Sequence, residues 1–404
     1  MVPLGPRSLL LDLTPLDTPS RLRGPGRYLR ELALGLARVP ASSLGGLRIY
    51  ALTHLKTTGE HRITEDLAAF EGSPELPAPG RHDHYRWAYA RRLGFARAVR
   101  QLGAAAFHLG DPNATPLFGW TSGAKKIVTC HDMIPFLFPE RYFGWKDGGP
   151  VVGRAIEGRR YRSADAVLAI SEATRRDVIR LLGVRSERVV RVYNSVDVER
   201  WASDPTAPPA AVLAKHRLTA RPYVLAVGAA DWHKNPEGTI AGLAAARRAG
   251  ASVELAWAGK LSRPVVDRIS RLAEEAGVRD YVRFLGFVED DDLAVLFRCA
   301  VAHVLLSRSE GFGLTIPESM AAGCPVITTR GGSLIEVAGD AALALEPDDY
   351  AGIGSAIARL VAEPRLRADL VAKGRARAPL FSRSVQAEAM LRCYQNVVSN
   401  RPVA

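Results

Sequence analysis

The chain is poor in cysteine, modest in aromatics and free of long apolar runs, and each scarcity removes a class of protein. Its four cysteines, Cys130, Cys299, Cys324 and Cys393, lie far apart in 404 residues, with no C-x-x-C pair and no histidine at metal-ligand spacing. A disulfide framework and a zinc site are therefore disfavoured, and the cysteines read as small apolar filler in a reducing compartment. No stretch approaches the ~18–20 apolar residues that span a bilayer. The apolar segment Ser8–Leu13 is short and holds Asp12, too little for a secretory signal, so a cytoplasmic location is expected. No internal repeat of solenoid period is visible.

What remains is an ordinary globular composition, 47% apolar and 24% charged, long enough for two or three domains of roughly 150 residues. Lys and Arg number 54 against 42 Asp and Glu, a formal charge of +12. The excess is lopsided: residues 1–210 carry 30 basic and 21 acidic side chains, residues 211–404 carry 24 and 21. Such a basic half points to an anionic partner, whether nucleic acid, phospholipid surface or phosphate-bearing substrate.

Strands alternate with helical segments along the first half. Strand-like runs fall at Ser8–Asp12, Leu47–Leu52, Ala104–Leu109, Lys126–Cys130, Ala164–Ile170 and Val189–Tyr193. Tyr28–Leu36 has helical spacing, and Ser171 is placed to N-cap a helix over Glu172–Leu182. The Pro/Ser/Ala-rich stretch Ala202–Pro209 reads as a linker. A second series follows, at Tyr223–Val227, Val253–Ala258, Val282–Leu285, Ala302–Leu306 and Pro325–Thr328. The pattern predicts α/β architecture: two doubly wound parallel-sheet domains, 1–200 and 222–381, joined by a linker at 201–221, with a cleft between them. A helix starting at Ser382 is expected to pack back on the first domain, over 382–404.

Ser307–Glu318 follows a strand and leads into a helix. Gly311 and Gly313 allow close backbone approach, and the helix start offers unsatisfied amides, together a phosphate cradle. Glu310 and Glu318 flank it and are suited to accept from sugar hydroxyls, although Glu318 equally reads as a first-turn acid opposing the dipole. Lys234, after Tyr223–Val227, is placed to project its ammonium toward phosphates. Gly24-Pro25-Gly26-Arg27-Tyr28 reads as a loop after the first strand, without the third glycine of a dinucleotide fingerprint. His131 follows Lys126–Cys130 at the ligand-binding end of a sheet; taken alone, such a histidine is more often structural. Asp132 is placed to orient His131 or its loop, and no D-x-D motif accompanies it. Residues 81–100 mix six arginines with four aromatics, either a helix on an anionic membrane or an ordinary surface helix.

These segments, in this order, resemble retaining glycosyltransferases of family 4, which have the GT-B fold of two facing Rossmann-like domains. Glu310 and Glu318, with seven residues between them, and Ser319–Ile327 resemble the family signature. His131-Asp132-Met133-Ile134-Pro135 with Phe138-Pro139-Glu140, Asn194-Ser195-Val196-Asp197 (Ser where the family has Gly), and Gly331–Val337 resemble further segments. The resemblance implies that Glu318 binds the nucleotide ribose and Glu310 the transferred sugar. It also implies that Gly311, Phe312, Gly313, Leu314 and Thr315 hold pyrophosphate and sugar through their amides. Lys234 then neutralises phosphate, His131 meets the reaction centre, and Gly24, Gly26 and Arg27 belong to an acceptor and phosphate loop. Ala229 stands where the family often has an arginine; Arg263 or an arginine of the first domain is expected to compensate.

The function this implies is metal-independent, cofactor-free transfer of a sugar from a nucleotide-sugar, with GDP-mannose preferred, to an acceptor hydroxyl in polysaccharide or glycolipid assembly. Glu310, His131 and Lys234 carry the catalysis. The acceptor would be a glycan, a lipid-linked glycan or a small molecule, with peripheral contact to the inner face of the plasma membrane through 81–100. The competing readings are a basic nucleic-acid-binding protein, for which no reading motif is present, and a GT-B-fold epimerase or phosphorylase.

Overall fold

In the computed structural model of the chain, the leucine run of Ser8–Asp12 forms β1, buried on both faces as a central parallel strand must be. The structure describes residues 4–17, 21, 23–53, 62–67, 99–100, 102–111, 123–144, 149–204, 207–218 and 221–403. Two compact units divide them: residues 1–195 with 383–404, and residues 196–382.

Among the described residues the first unit holds seven strands: β1, β2 (Arg48–Thr53), β3 (Arg62–Thr64), β4 (Ala106–Leu109), β5 (Lys125–Cys130), β6 (Ala166–Ala169) and β7 (Val189–Arg191), in the order 3-2-1-4-5-6-7. All pair in parallel except the short edge strand β3, antiparallel to β2. The strand order reverses between β1 and β4, the position where open α/β sheets bind ligands beyond their carboxyl ends. Helix α1 (Gly24–Ala37) packs Tyr28, Leu29, Leu32 and Leu36 onto this sheet. Helix α2 (Glu172–Leu182) is N-capped by Ser171, whose hydroxyl accepts from the Thr174 amide at 3.0 Å.

The C-terminal helix, Arg383–Val398, lies against α1 within this same unit. Gly35 permits the approach, since a Cβ there would stand 2.8 Å from the Arg383 carbonyl oxygen. A two-pronged ion pair of Arg383 with Glu31, at 2.5 and 3.1 Å, fixes the crossing. Ser195, standing where the family has glycine, uses its hydroxyl to bond Gln386 of this helix at 2.8 Å.

Among the described residues the second unit carries six strands, all parallel: β8 (Tyr223–Val227), β9 (Glu254–Ala258), β10 (Val282–Gly286), β11 (Ala302–Leu305), β12 (Val326–Thr329) and β13 (Ala342–Leu345), ordered 10-9-8-11-12-13. Its reversal falls between β8 and β11, so the loops after Val227 and Leu305 stand side by side at the carboxyl edge.

The structure departs from the sequence reading at the start of α1, in the linker and at two edge strands. Gly24–Arg27 is not a loop: Pro25 supplies the fixed φ of a first turn, and α1 begins at Gly24. Part of the expected linker is helical. In it α3 (Pro209–Lys215) packs on α5 (Asp290–Cys299), with Lys215 and His216 meeting Asp292 at 2.6 and 3.0 Å. Strands β3 and β13 were not anticipated, being short and at sheet edges. The arginine- and aromatic-rich segment 81–98, on which the membrane reading rests, lies outside the described residues. Among the described residues, no helix is long and apolar enough to cross a membrane. All four cysteines are free; Cys130, Cys324 and Cys393 are buried, and burial pushes their thiols well up.

Candidate active site

In the second unit the two loops at the sheet reversal are tied together. Residues 232–234 form a single tight turn, and Asn235, in the left-handed conformation with φ 55°, caps α4 (Pro236–Arg248) by accepting from the Gly238 amide at 3.1 Å. Lys234 therefore sits just before the helix. Its ammonium meets Glu310 Oε1 at 2.5 Å, across 76 residues of sequence. The Ser307 hydroxyl donates to the same oxygen at 2.6 Å. Glu310 is thus held by two donors and is only 9% exposed, while Lys234 at 27% keeps a path to solvent.

The backbone under Glu310 is also fixed. Its carbonyl accepts from the amide and hydroxyl of Ser333, both at 3.1 Å. Gly332, at φ +62°, passes so close that any Cβ would run into that carbonyl. Gly313 takes φ +84°, and a Cβ there would stand 2.8 Å from a Leu334 methyl. The chain then enters α6 (Thr315–Ala321) through Leu314. Phe312 is buried, edge-on to Phe381 at 5.5 Å between ring centres. Glu318 lies in the first turn of α6 and is fully buried.

Thr315 is also held from below. His303 Nδ1 pairs with the Leu225 carbonyl at 2.9 Å, so that nitrogen carries the proton, and Nε2 accepts from the Thr315 hydroxyl at 2.9 Å. Burial brings the His303 pKa down to about 4, keeping the ring neutral. The Thr315 hydroxyl proton is turned inward, onto that imidazole.

Sequence reasoning missed Arg308. Its amide donates to the His233 carbonyl at 2.7 Å. Its guanidinium reaches Asn235 Oδ1 at 3.1 Å and Asp348 at 2.5 Å, over the Trp232 ring at 5.5 Å. It stitches the loop of Lys234 to the loop of Glu310. No family motif flags it, because its partners are distant in sequence. The expected compensating Arg263 is instead 87% exposed and pairs with Asp267 on its own helix at 2.9 Å.

In the first unit, His131 directly follows β5 and is half-buried. Its Nε2 donates to the Gly110 carbonyl at 2.5 Å, which leaves Nδ1 with its lone pair. Burial is the main cause lowering its pKa, only partly offset by that bond and by Asp111 and Asp132, so the ring is neutral near pH 7. The Tyr28 ring stands edge-on to it, 5.1 Å away. Asp132 accepts from the Ile134 amide at 3.0 Å, shaping the turn that follows His131. Gly24, Gly26 and Arg27 form the first turn of α1, with Gly26 buried. Among the described residues, no three His, Cys, Asp or Glu side chains group as a metal site.

Two family models match this chain: that described as "Glycosyltransferase Family 4" over residues 22–200, and "Glycosyl transferases group 1" over residues 213–377. O-antigen chain mannosyltransferase B of Escherichia coli is 30% identical over 367 residues, spanning 84% of this chain and 93% of that protein. Sucrose-phosphate synthase from Thermosynechococcus elongatus superposes with a TM-score of 0.73 at 21% identity, over 98% of this chain and all of that one. Anabaena HepE, solved in complex with UDP-glucose, gives 0.69 at 16% identity, over 97% and 98%. The shared fold is GT-B.

Proposed function

The chain belongs to the glycosyltransferases of group 1 and family 4, and from that premise we propose that it moves mannose from GDP-mannose to a hydroxyl of a growing glycan, with retention at the anomeric carbon. The mannosyltransferase from Escherichia coli, similar over most of both chains, favours mannose as the transferred sugar and a glycan as acceptor. The single observation that carries the chemistry is the Lys234–Glu310 pair, joined at the carboxyl edge of a doubly wound sheet.

The leaving group is a nucleoside diphosphate, so neutralising charge on its phosphates lowers the barrier most. Lys234 supplies a cation there, and the amides of Gly311–Thr315 supply fixed dipoles. The amides of Ile316 and Glu318 are taken up internally by Gly313 and Leu314, at 2.9 and 3.4 Å. Glu310 accepts from hydroxyls of the transferred sugar, and Glu318 from the ribose. The neutral His131 offers Nδ1 as an acceptor to a donor or acceptor hydroxyl. No metal is needed in this scheme, because the compensating charge comes from the protein.

Lys234 and Ser307 hold one carboxylate oxygen of Glu310, which fits a role in orienting the sugar. The family resemblance implies a front-face displacement. The anomeric carbon–phosphate oxygen bond breaks, the departing phosphate takes the acceptor proton, and the acceptor oxygen bonds the same face. The transition state has oxocarbenium character. The test is transfer from GDP-mannose, UDP-glucose and dTDP-rhamnose to a mannan oligosaccharide in EDTA, with the new linkage read by NMR. An α-mannosyl product from GDP-mannose is expected. A β-linkage would overturn retention, and exclusive use of another nucleotide would overturn the donor.

A further inference from the structure

We propose that Tyr394, on the C-terminal helix, is a positioning residue for His131, acting through a buried relay of His108, Thr129 and Tyr28. The proposal rests on the role given to His131 above. Four polar side chains lie in the core of the first unit, each from a separate element: α1, β4, β5 and the C-terminal helix. Tyr394 Oη meets His108 Nδ1 at 2.6 Å. His108 Nε2 meets Thr129 Oγ1 at 2.7 Å, and Thr129 Oγ1 meets Tyr28 Oη at 2.9 Å. The far face of the Tyr28 ring system ends edge-on against the His131 imidazole, at 5.1 Å and 82°.

All four are fully buried, where an unpaired hydroxyl or imidazole is costly and apolar side chains would pack as well. Pairing with one another meets that cost only when the C-terminal helix is seated in one register against β4 and β5. Burial lowers the His108 pKa to about 3, so the ring stays neutral, donating from one nitrogen and accepting at the other. The relay therefore keeps its connectivity at every working pH.

Its placement connects it to the site. His108 lies two residues before Gly110, whose carbonyl holds His131 Nε2, and Thr129 lies two residues before His131 itself. Both supports of His131, the Gly110 carbonyl and the Tyr28 ring, are thus braced by the same buried chain. The helix Arg383–Val398 reaches the imidazole through it, from Tyr394, 286 residues beyond His108.

The variants Tyr394→Phe and Tyr28→Phe each remove one hydroxyl and keep the ring. The ligand-free full-length protein, labelled with 15N-histidine, gives imidazole signals without any assumption about substrate. Displaced and broadened His131 signals in either variant are expected; wild-type His131 signals in both would overturn the relay, and if Tyr394→Phe fails to fold, Tyr28→Phe decides. With GDP-mannose and a mannan oligosaccharide, kcat is expected to fall about tenfold with the donor KM unchanged, the size of effect usual for residues that orient a reacting side chain. In a His131→Ala background the same change should cost nothing further, and an equal additional loss would show a merely structural role and overturn the proposal. Unchanged turnover in His131→Ala alone would refute the role of His131, leaving the imidazole signals to judge the relay.

Discussion

Lys234→Ala removes a charge from a pair whose two members differ in their access to water. Glu310 would be left ionised, 9% exposed, with the Ser307 hydroxyl as its remaining side-chain donor. Breaking a buried ion pair costs about 3–5 kcal/mol, and an exposed pair is worth about 0–1 kcal/mol. Lys234 is 27% exposed, so the loss should fall between, at about 1–3 kcal/mol. For a domain of this size that is a fall in Tm of roughly 3–9 °C. Glu310→Gln leaves a lysine that can swing toward water, and should cost less than about 1 kcal/mol. Lys234→Met with Glu310→Gln strands no charge and should be more stable than Lys234→Ala alone. Catalysis should rank differently: all three lose about 10²–10³-fold in transfer, the usual cost of one transition-state contact. Calorimetry with and without GDP separates the two residues. Ligand at 100 times its Kd adds about 2.7 kcal/mol; Glu310→Gln should keep that gain, while Lys234→Ala should lose most of it. A full GDP-induced shift in Lys234→Ala, or a double variant as unstable as the summed singles, would refute the reasoning.

Three further outcomes follow from the geometry. Gly332→Ala combines a positive φ with a collision at the Glu310 carbonyl, and should cost about 1–3 kcal/mol and depress transfer more than GDP binding, read by denaturant midpoint and rate. His303 is neutral when folded, with a pKa near 4 against about 6.5 unfolded, so the unfolded chain binds the extra proton as pH falls below 6.5. Its contribution leaves stability intact above pH 6.5 and erodes it by up to about 1.4 kcal/mol per pH unit below, a slope that His303→Gln should remove in urea titrations. Gly35→Ala would press a methyl against the Arg383 carbonyl, 2.8 Å away, and should destabilise the first unit by about 1–3 kcal/mol while leaving the GDP-induced shift unchanged.

The parallel strands were legible because strands buried on both faces must be short apolar runs, and β1, β8 and β11 stand out as such. Ser171 announced its helix through a local bond to its own third neighbour, which any sequence reader can see. Pro25 carried equally local information, yet its glycine neighbours masked it, since Gly24 and Gly26 suit a loop as readily as a helix start. Edge strands β3 and β13 were hidden by length. The linker reading came from the Pro/Ser/Ala-rich stretch Ala202–Pro209, while the contacts of Lys215 and His216 with Asp292 lie 77 and 76 residues away.

The sequence by itself determined the two α/β units, the family and the residue types suited to phosphate and sugar, because these depend on periodicity and on short contiguous motifs. Tertiary structure alone decided the partners of those residues. It paired Lys234 with Glu310, spent Arg308 on joining two loops, turned the Thr315 hydroxyl inward and set His131 against Tyr28. Each of those outcomes depends on which strands lie adjacent, and strand order is fixed by packing over the whole sheet rather than by any local stretch of chain.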